Sequence, residues 1–246
     1  TSVTIPSSVT SIEWRAFSHC DKLTSVTFDE NSQLTSIGED AFAYCSALTS
    51  VTIPSGVTSI GNSAFYNCST LRSVTFDKNS QLTNIGEDAF GRCGSLSGIT
   101  IPASVTKIGV YAFSKCSKMS SVNFEENSKL TGIPEGMLNE CGALKSIELP
   151  AGITSIGKTA FRLTGLTSIK IPEGVTTIGE KAFMYCDALQ TVTIPASVQS
   201  LANNIFTEWC CTIKVDIGNL KSQYIAKDKQ EARKDGSEST KIQHGI

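Results

Sequence analysis

Nine cysteines and two histidines, His19 and His244, are the side chains of this 246-residue chain best suited to nucleophilic or metal chemistry. Seven of the cysteines, Cys20, Cys45, Cys68, Cys93, Cys116, Cys141 and Cys186, recur on one spacing, with Thr164 where an eighth is expected. Thiols at a fixed interval raise two kinds of chemistry, a metal array and a redox relay. A metal site needs two to four ligands converging on one point. A regular repeat sets its side chains in parallel instead, and Thr164 interrupts the series without a compensating ligand. The row therefore reads as small apolar core residues. Parallel Cβ vectors also disfavour disulfides between neighbours. Cys210-Cys211 differ, being adjacent to each other and to Trp209. They are expected as free thiols, with an intermolecular bond as the alternative.

Other constellations are thin. Cys20 follows His19, but sequence neighbours are not partners in space. With His244 so distant, a multi-histidine metal site or a histidine-based triad is not expected. No G-x-S-x-G elbow and no glycine-rich phosphate loop is present. Asp29, Asp77 and Glu125 recur every 48 residues. They could line a calcium-binding edge, or serve as solvated Asx-type turn formers. A formal net charge of −2 gives no electrostatic case for nucleic acid or an anionic membrane. No apolar run approaches the roughly 18–20 residues that span a bilayer. No acid–base or nucleophile set survives, so the expectation is a protein that is not an enzyme.

These residues sit in an internal repeat. Residues 1–48, TSVTIPSSVTSIEWRAFSHCDKLTSVTFDENSQLTSIGEDAFAYCSAL, are echoed by 49–96, and 97–144 form a more diverged copy. Each block holds two similar units. One anchor falls at Ile12, Ile37, Ile60, Ile85, Ile108, Ile133, Ile156, Ile178 and Leu201, giving about nine units of 22–25 residues. The single interval of 22 reflects one residue missing between Phe161 and Leu166. Within a unit, Leu48-Thr49-Ser50-Val51-Thr52-Ile53 alternates with period two and favours a strand. Pro54 ends it, lacking an N–H for the ladder. Val57-Thr58-Ser59-Ile60 is a second short strand closed by Gly61. Asn62 to Cys68 predicts one helical or 3₁₀ turn. One unit is one coil, and coils must stack to bury their apolar faces. At a strand spacing of about 4.8 Å, nine coils make a body of roughly 40 Å. Stacking forms a core row of Phe17, Phe42, Phe65, Phe90, Phe113, Phe161, Phe183 and Phe206, with Leu138 in its gap.

The motif L-T-S-V-x-I-P-x-x-V-x-x-I-G-x-x-A-F-x-x-C resembles the BspA-like leucine-rich repeat family over about residues 1–215. The resemblance implies a right-handed solenoid with a parallel sheet on one face, here completed by short helical or 3₁₀ turns on the other. It also implies a secreted or cell-surface protein of a host-associated microbe, used in attachment or recognition, with no cofactor. Departures are local: Glu13, Pro134 and Ala202 replace the turn glycine, Met137-Leu138 replace Ala-Phe, and Thr164 and Trp209 replace cysteine. The chain divides into a solenoid over 1–216 and a C-terminal cap helix with a polar tail over 217–246. Residue 1 already lies within a strand, so either an upstream coil or a self-contact is expected to cover the first coil.

The strand face carries two outward rows. One is Ser25, Ser50, Ser73, Gly98, Ser121, Ser146, Ser168 and Thr191. The other is Thr27, Thr52, Thr75, Thr100, Asn123, Glu148, Lys170 and Thr193. A hydroxyl-rich face suits multivalent polar contacts, and it is also what β-propensity alone would leave. Its character changes at Asn123, Glu148 and Lys170, the candidate partner site. Glu148 and Lys170 are expected as neighbours on adjacent strands, able to pair with each other. No aromatic residue stands on this face, which weakens a carbohydrate-stacking or hot-spot reading there. The expected role is a binding module for a host or matrix protein, or a glycan. The alternative is a spacer within a larger surface protein.

Overall fold

The computed structural model describes residues 1–202, 204–206 and the backbone of the strand Lys214–Ile217. The cap helix and tail expected over 217–246 and the pair Cys210-Cys211 lie outside the described residues, Ile217 excepted.

The chain winds as stacked coils, each contributing a strand to one side and a shorter strand to another. Strands Ser2–Ile5, Ser25–Phe28, Ser50–Ile53 and Ser73–Phe76 form one parallel sheet. Gly98–Ile101 pairs with Ser121–Phe124, and Ser168–Lys170 with Thr191–Ile194 and Lys214–Ile217. The register joins equivalent repeat positions, Val51 to Val74 and Thr52 to Thr75. The two-residue strands build two further parallel sheets through the anchor row, from Ile12 to Ile108 and from Ile133 to Leu201.

One expected strand is missing. Residues 144–150 hold no regular structure, so the wide sheet is interrupted between Ser121–Phe124 and Ser168–Lys170. The break adjoins the shortened coil. With one residue fewer, that chain cuts its corner so closely that a Cβ on Gly165 would collide with the Gly142 carbonyl.

The helical turns predicted for the remaining side do not form, and no helix occurs among the described residues. The segment Gly38–Cys45 shows why. N–H groups of Ala41, Ala43 and Cys45 close turns onto Gly38, Asp40 and Phe42. The intervening N–H groups of Asp40, Phe42 and Tyr44 instead reach the carbonyls of Asn62, Ala64 and Tyr66 in the next coil. An α-helix would direct all of them along its own axis. Two residues per coil adopt positive φ to achieve this, such as Asp40 at 54° and Tyr44 at 62°. The left-handed region costs an L-residue roughly 1–2 kcal/mol, and the inter-coil bonds offset that cost. The pattern of three bonds per boundary continues through the coils where the wide sheet is broken.

The phenylalanine row runs through the core. Phe42, Phe65, Phe90, Phe113, Phe161 and Phe183 are fully buried, and Leu138 fills the gap. Their rings stack at 5.2–5.5 Å from Phe42 to Phe113. The column resumes from Phe161 to Phe183 at 5.3 Å and on to Phe206 at 5.8 Å. Phe17 and Phe206 are only partly buried.

Candidate functional site

The cysteines are structural, with a more specific role than filling space. Each thiol donates to the carbonyl of the row phenylalanine one coil earlier: Cys45 to Phe17, Cys68 to Phe42 and Cys93 to Phe65, all at 3.1 Å. Cys116, Cys141 and Cys186 do the same to Phe90, Phe113 and Phe161 at 3.0–3.2 Å. Thr164 bonds the Phe161 carbonyl of its own coil at 2.8 Å and meets the Cys186 thiol at 3.2 Å. Burial pushes the Cys93 and Cys141 thiols up to about 12, and Cys45 to about 11. A thiol held protonated is neither a nucleophile nor a metal ligand. All seven described cysteines are free, and no metal-binding group of three ligands occurs among the described residues. Cys20 makes no such bond among the described residues and is only partly buried.

The carboxylates of the long turns are not the turn formers. Asp29 and Asp77 accept no side-chain hydrogen bond, while Glu125 Oε2 accepts the Ala103 N–H at 2.9 Å. The turns are made by Asn31, Asn79 and Asn127, whose φ is 59–60°. Ser32, Ser80 and Ser128 assist, their Oγ accepting the N–H of Leu34, Leu82 and Leu130 at 3.3–3.4 Å.

On the strand face, threonine hydroxyls meet in pairs, Thr4 with Thr27 and Thr52 with Thr75, each at 2.9 Å. Another threonine row, beside the short strands, donates from coil to coil into backbone carbonyls, as Thr35 to Thr10 and Thr58 to Thr35. Asn123, Glu148 and Lys170 are all exposed. The structure does not gather them onto one hydrogen-bonded sheet. Asn123 aligns with Thr100 and Lys170 with Thr193, while Glu148 lies in the strandless stretch. The pairing expected between Glu148 and Lys170 is absent, since no ion pair joins them. The interrupted sheet removes the register that would have set them side by side.

The aromatic residues missed by the strand-face reading are on the turn side. Trp14, His19, Tyr44, Tyr66, Tyr111 and Tyr185 occupy the variable positions of G-x-x-A-F-x-x-C. Every described Tyr and Trp is there, a signal that the repeat alignment already contained. His19 stacks on Tyr44 at 4.5 Å and Tyr44 meets Tyr66 edge-on at 5.6 Å. Trp14 is 62% exposed, with the Arg15 guanidinium 4.7 Å from its ring centre. Glu140 lies 3.7 Å from Lys115 and 3.8 Å from Arg162 on the same side.

A family model described as a BspA type leucine rich repeat region matches in six copies, over residues 1–118 and 83–214. Among solved structures, a leucine-rich repeat protein of T. pallidum is similar, with 26% identity and a TM-score of 0.60. That match covers 76% of this chain and 77% of the other. The pneumococcal vaccine antigen PcpA shares the fold at 22% identity and a TM-score of 0.52, over 89% of this chain and 69% of that one. Among curated proteins, none matches this chain.

Proposed function

The chain belongs to the BspA-type leucine rich repeat family, and from that premise we propose that it is a non-enzymatic, cell-surface or secreted binding module. In this reading the strand face is presented to a host or extracellular-matrix protein. The observation that carries it is the change along that face from hydroxyl rows to an exposed Asn123, Glu148 and Lys170. The two charges are not neutralised by each other and keep their electrostatic capacity for a partner. The interrupted sheet also leaves backbone groups near Glu148 without ladder bonds. A spacer role is the second reading. It is favoured by the threonine hydroxyls that are spent on coil-to-coil bonding and so unavailable to a ligand.

Binding to immobilised matrix proteins, compared between this chain and a Glu148→Ala/Lys170→Ala variant, tests the proposal. Weaker binding by the variant is expected. Equal binding would remove these residues from the site, and no binding by either protein would favour the spacer.

A further inference from the structure

On the turn side, the variable position after the row phenylalanine carries Tyr66 in one coil and Gly91 in the next. Beside this stretch lies a dent of about 270 Å³ with Tyr66, Tyr111, Ser114 and Asn139 among its walls. Gly91 lets two lining groups close in, since a Cβ there would lie 2.7 Å from Asp88 Oδ1 and 3.1 Å from Tyr66 Cδ2. Tyr111 leans over Gly136, where a Cβ would collide with its ring, and donates its hydroxyl to Glu135 at 3.0 Å.

Two carboxylates and two cations line the dent, Asp88 and Glu140 against Arg92 and Lys115. Asp88 is the informative member. Its counterpart two coils earlier, Asp40, is paired with Arg15 Nε at 3.0 Å. The residue equivalent to Arg15 before Asp88 is Ser63, and the Asp88 carboxylate takes no side-chain hydrogen bond. It is half-buried, and that burial, helped by Glu87 and opposed by Arg92 and Lys115, raises its pKa above the usual carboxylate value. A partly desolvated acceptor without a donor is a cost that a ligand can relieve.

We infer that this dent is a binding site for one neutral sugar ring, held between Tyr66 and Tyr111 and bonded through a hydroxyl to Asp88. The lining selects the class. A cationic ligand faces Arg92 and Lys115, and an anionic one faces Asp88 and Glu140. A hydroxyl both donates and accepts, so a polyol satisfies both kinds of group. Tyrosine rings supply apolar faces for the C–H surface of the ring. The volume lies below the roughly 300–1,000 Å³ of pockets for drug-sized ligands, which fits a single ring. The site is formed by the turn segments and does not rest on the strand-face reading.

Saturation-transfer NMR with the methyl glycosides of glucose, galactose, mannose and N-acetylglucosamine tests the inference on the whole chain. N-acetylneuraminic acid and glucosamine serve as charged probes. At least one neutral glycoside is expected to bind more tightly than either charged probe. Ser63→Arg is the decisive variant, because it places at Asp88 the partner that Arg15 gives Asp40. Arg15 and Ser63 have matching φ of 55° and 53°, so the backbone accepts the change. Affinity should fall at least about tenfold in Ser63→Arg and in Asp88→Ala, as for loss of a hydrogen bond to a charged group. It should be unchanged in Asp40→Ala. Binding by no neutral glycoside, preference for a charged probe, or undiminished binding by Ser63→Arg would each overturn the inference.

Discussion

Replacing Phe90 by alanine strikes the centre of the aromatic column, and the cost follows from the geometry. Phe90 is fully buried, with ring neighbours Phe65 at 5.2 Å and Phe113 at 5.5 Å, the planes within 3°. Truncation removes on the order of 120 Å² of buried apolar surface, or about 3 kcal/mol at 25 cal/mol per Å². Two ring contacts add about 0.5–1.5 kcal/mol each. The expected loss is about 4–6 kcal/mol, reaching just above the roughly 3–5 kcal/mol usual for a buried phenylalanine. Phe17 is the internal reference, being partly buried with one stacked neighbour, Phe42 at 5.1 Å. Its alanine variant should lose about half as much by the same reckoning. Urea unfolding followed by far-UV circular dichroism gives both values, and a constant slope with denaturant confirms that the same structure is lost. A Phe90→Ala cost below about 1 kcal/mol, or a Phe17→Ala cost equal to it, would refute the stacked column as the source of stability.

Thiol titration of the native protein should label Cys20 first and leave Cys45, Cys68, Cys93, Cys116, Cys141 and Cys186 unreacted until denaturant is added; rapid labelling of any of these six contradicts their burial. Alkaline pH provides a second test. The Cys45, Cys93 and Cys141 thiols ionise near 9 when exposed but at about 11 to 12 in the fold, so their contribution is complete below pH 9 and is lost as pH rises toward 11–12. In Cys93→Ala the fall in stability above pH 9 should be shallower by about 1.4 kcal/mol per pH unit, measured by urea unfolding across that range; an unchanged slope would show that Cys93 does not shift. Thr164→Val removes the buried hydrogen bond of 2.8 Å to Phe161 and the 3.2 Å contact with the Cys186 thiol and should cost about 1–2 kcal/mol in the same assay, while a neutral result would show both to be energetically idle.

The coil length, the register and the core row were legible because one pattern is written many times. Aligning Val51 with Val74 requires only the repeat interval, and the structure pairs those residues. The turn side was not legible for a physical reason. The spacing A-F-x-x-C fits a helical turn as well as it fits stacked β-turns, and only the neighbouring coil decides between them. The left-handed positions offer little warning, since Arg15, Tyr44, Lys115 and Leu163 occupy them as readily as glycine does elsewhere. The thiol bonds were hidden similarly, because a cysteine beside a phenylalanine row looks apolar until the carbonyl of the previous coil is in place. At the candidate site, exposure of Asn123, Glu148 and Lys170 followed from alternation along a strand. Their separation did not, because it depends on how a coil one residue short meets its neighbour. The aromatic positions were legible and went unused, because the strand face drew the reading.

The turn side also bears on how such a chain can change over generations. Its three bonds across each coil boundary run from backbone to backbone and ask little of the side chains between the recurring Ala, Phe and Cys. Coils can therefore be duplicated whole, as the 33 of 48 positions shared by 1–48 and 49–96 suggest, and their variable positions rewritten one at a time without reopening the core. The scaffold is inherited as a unit, while each coil supplies a few independently mutable letters of surface text.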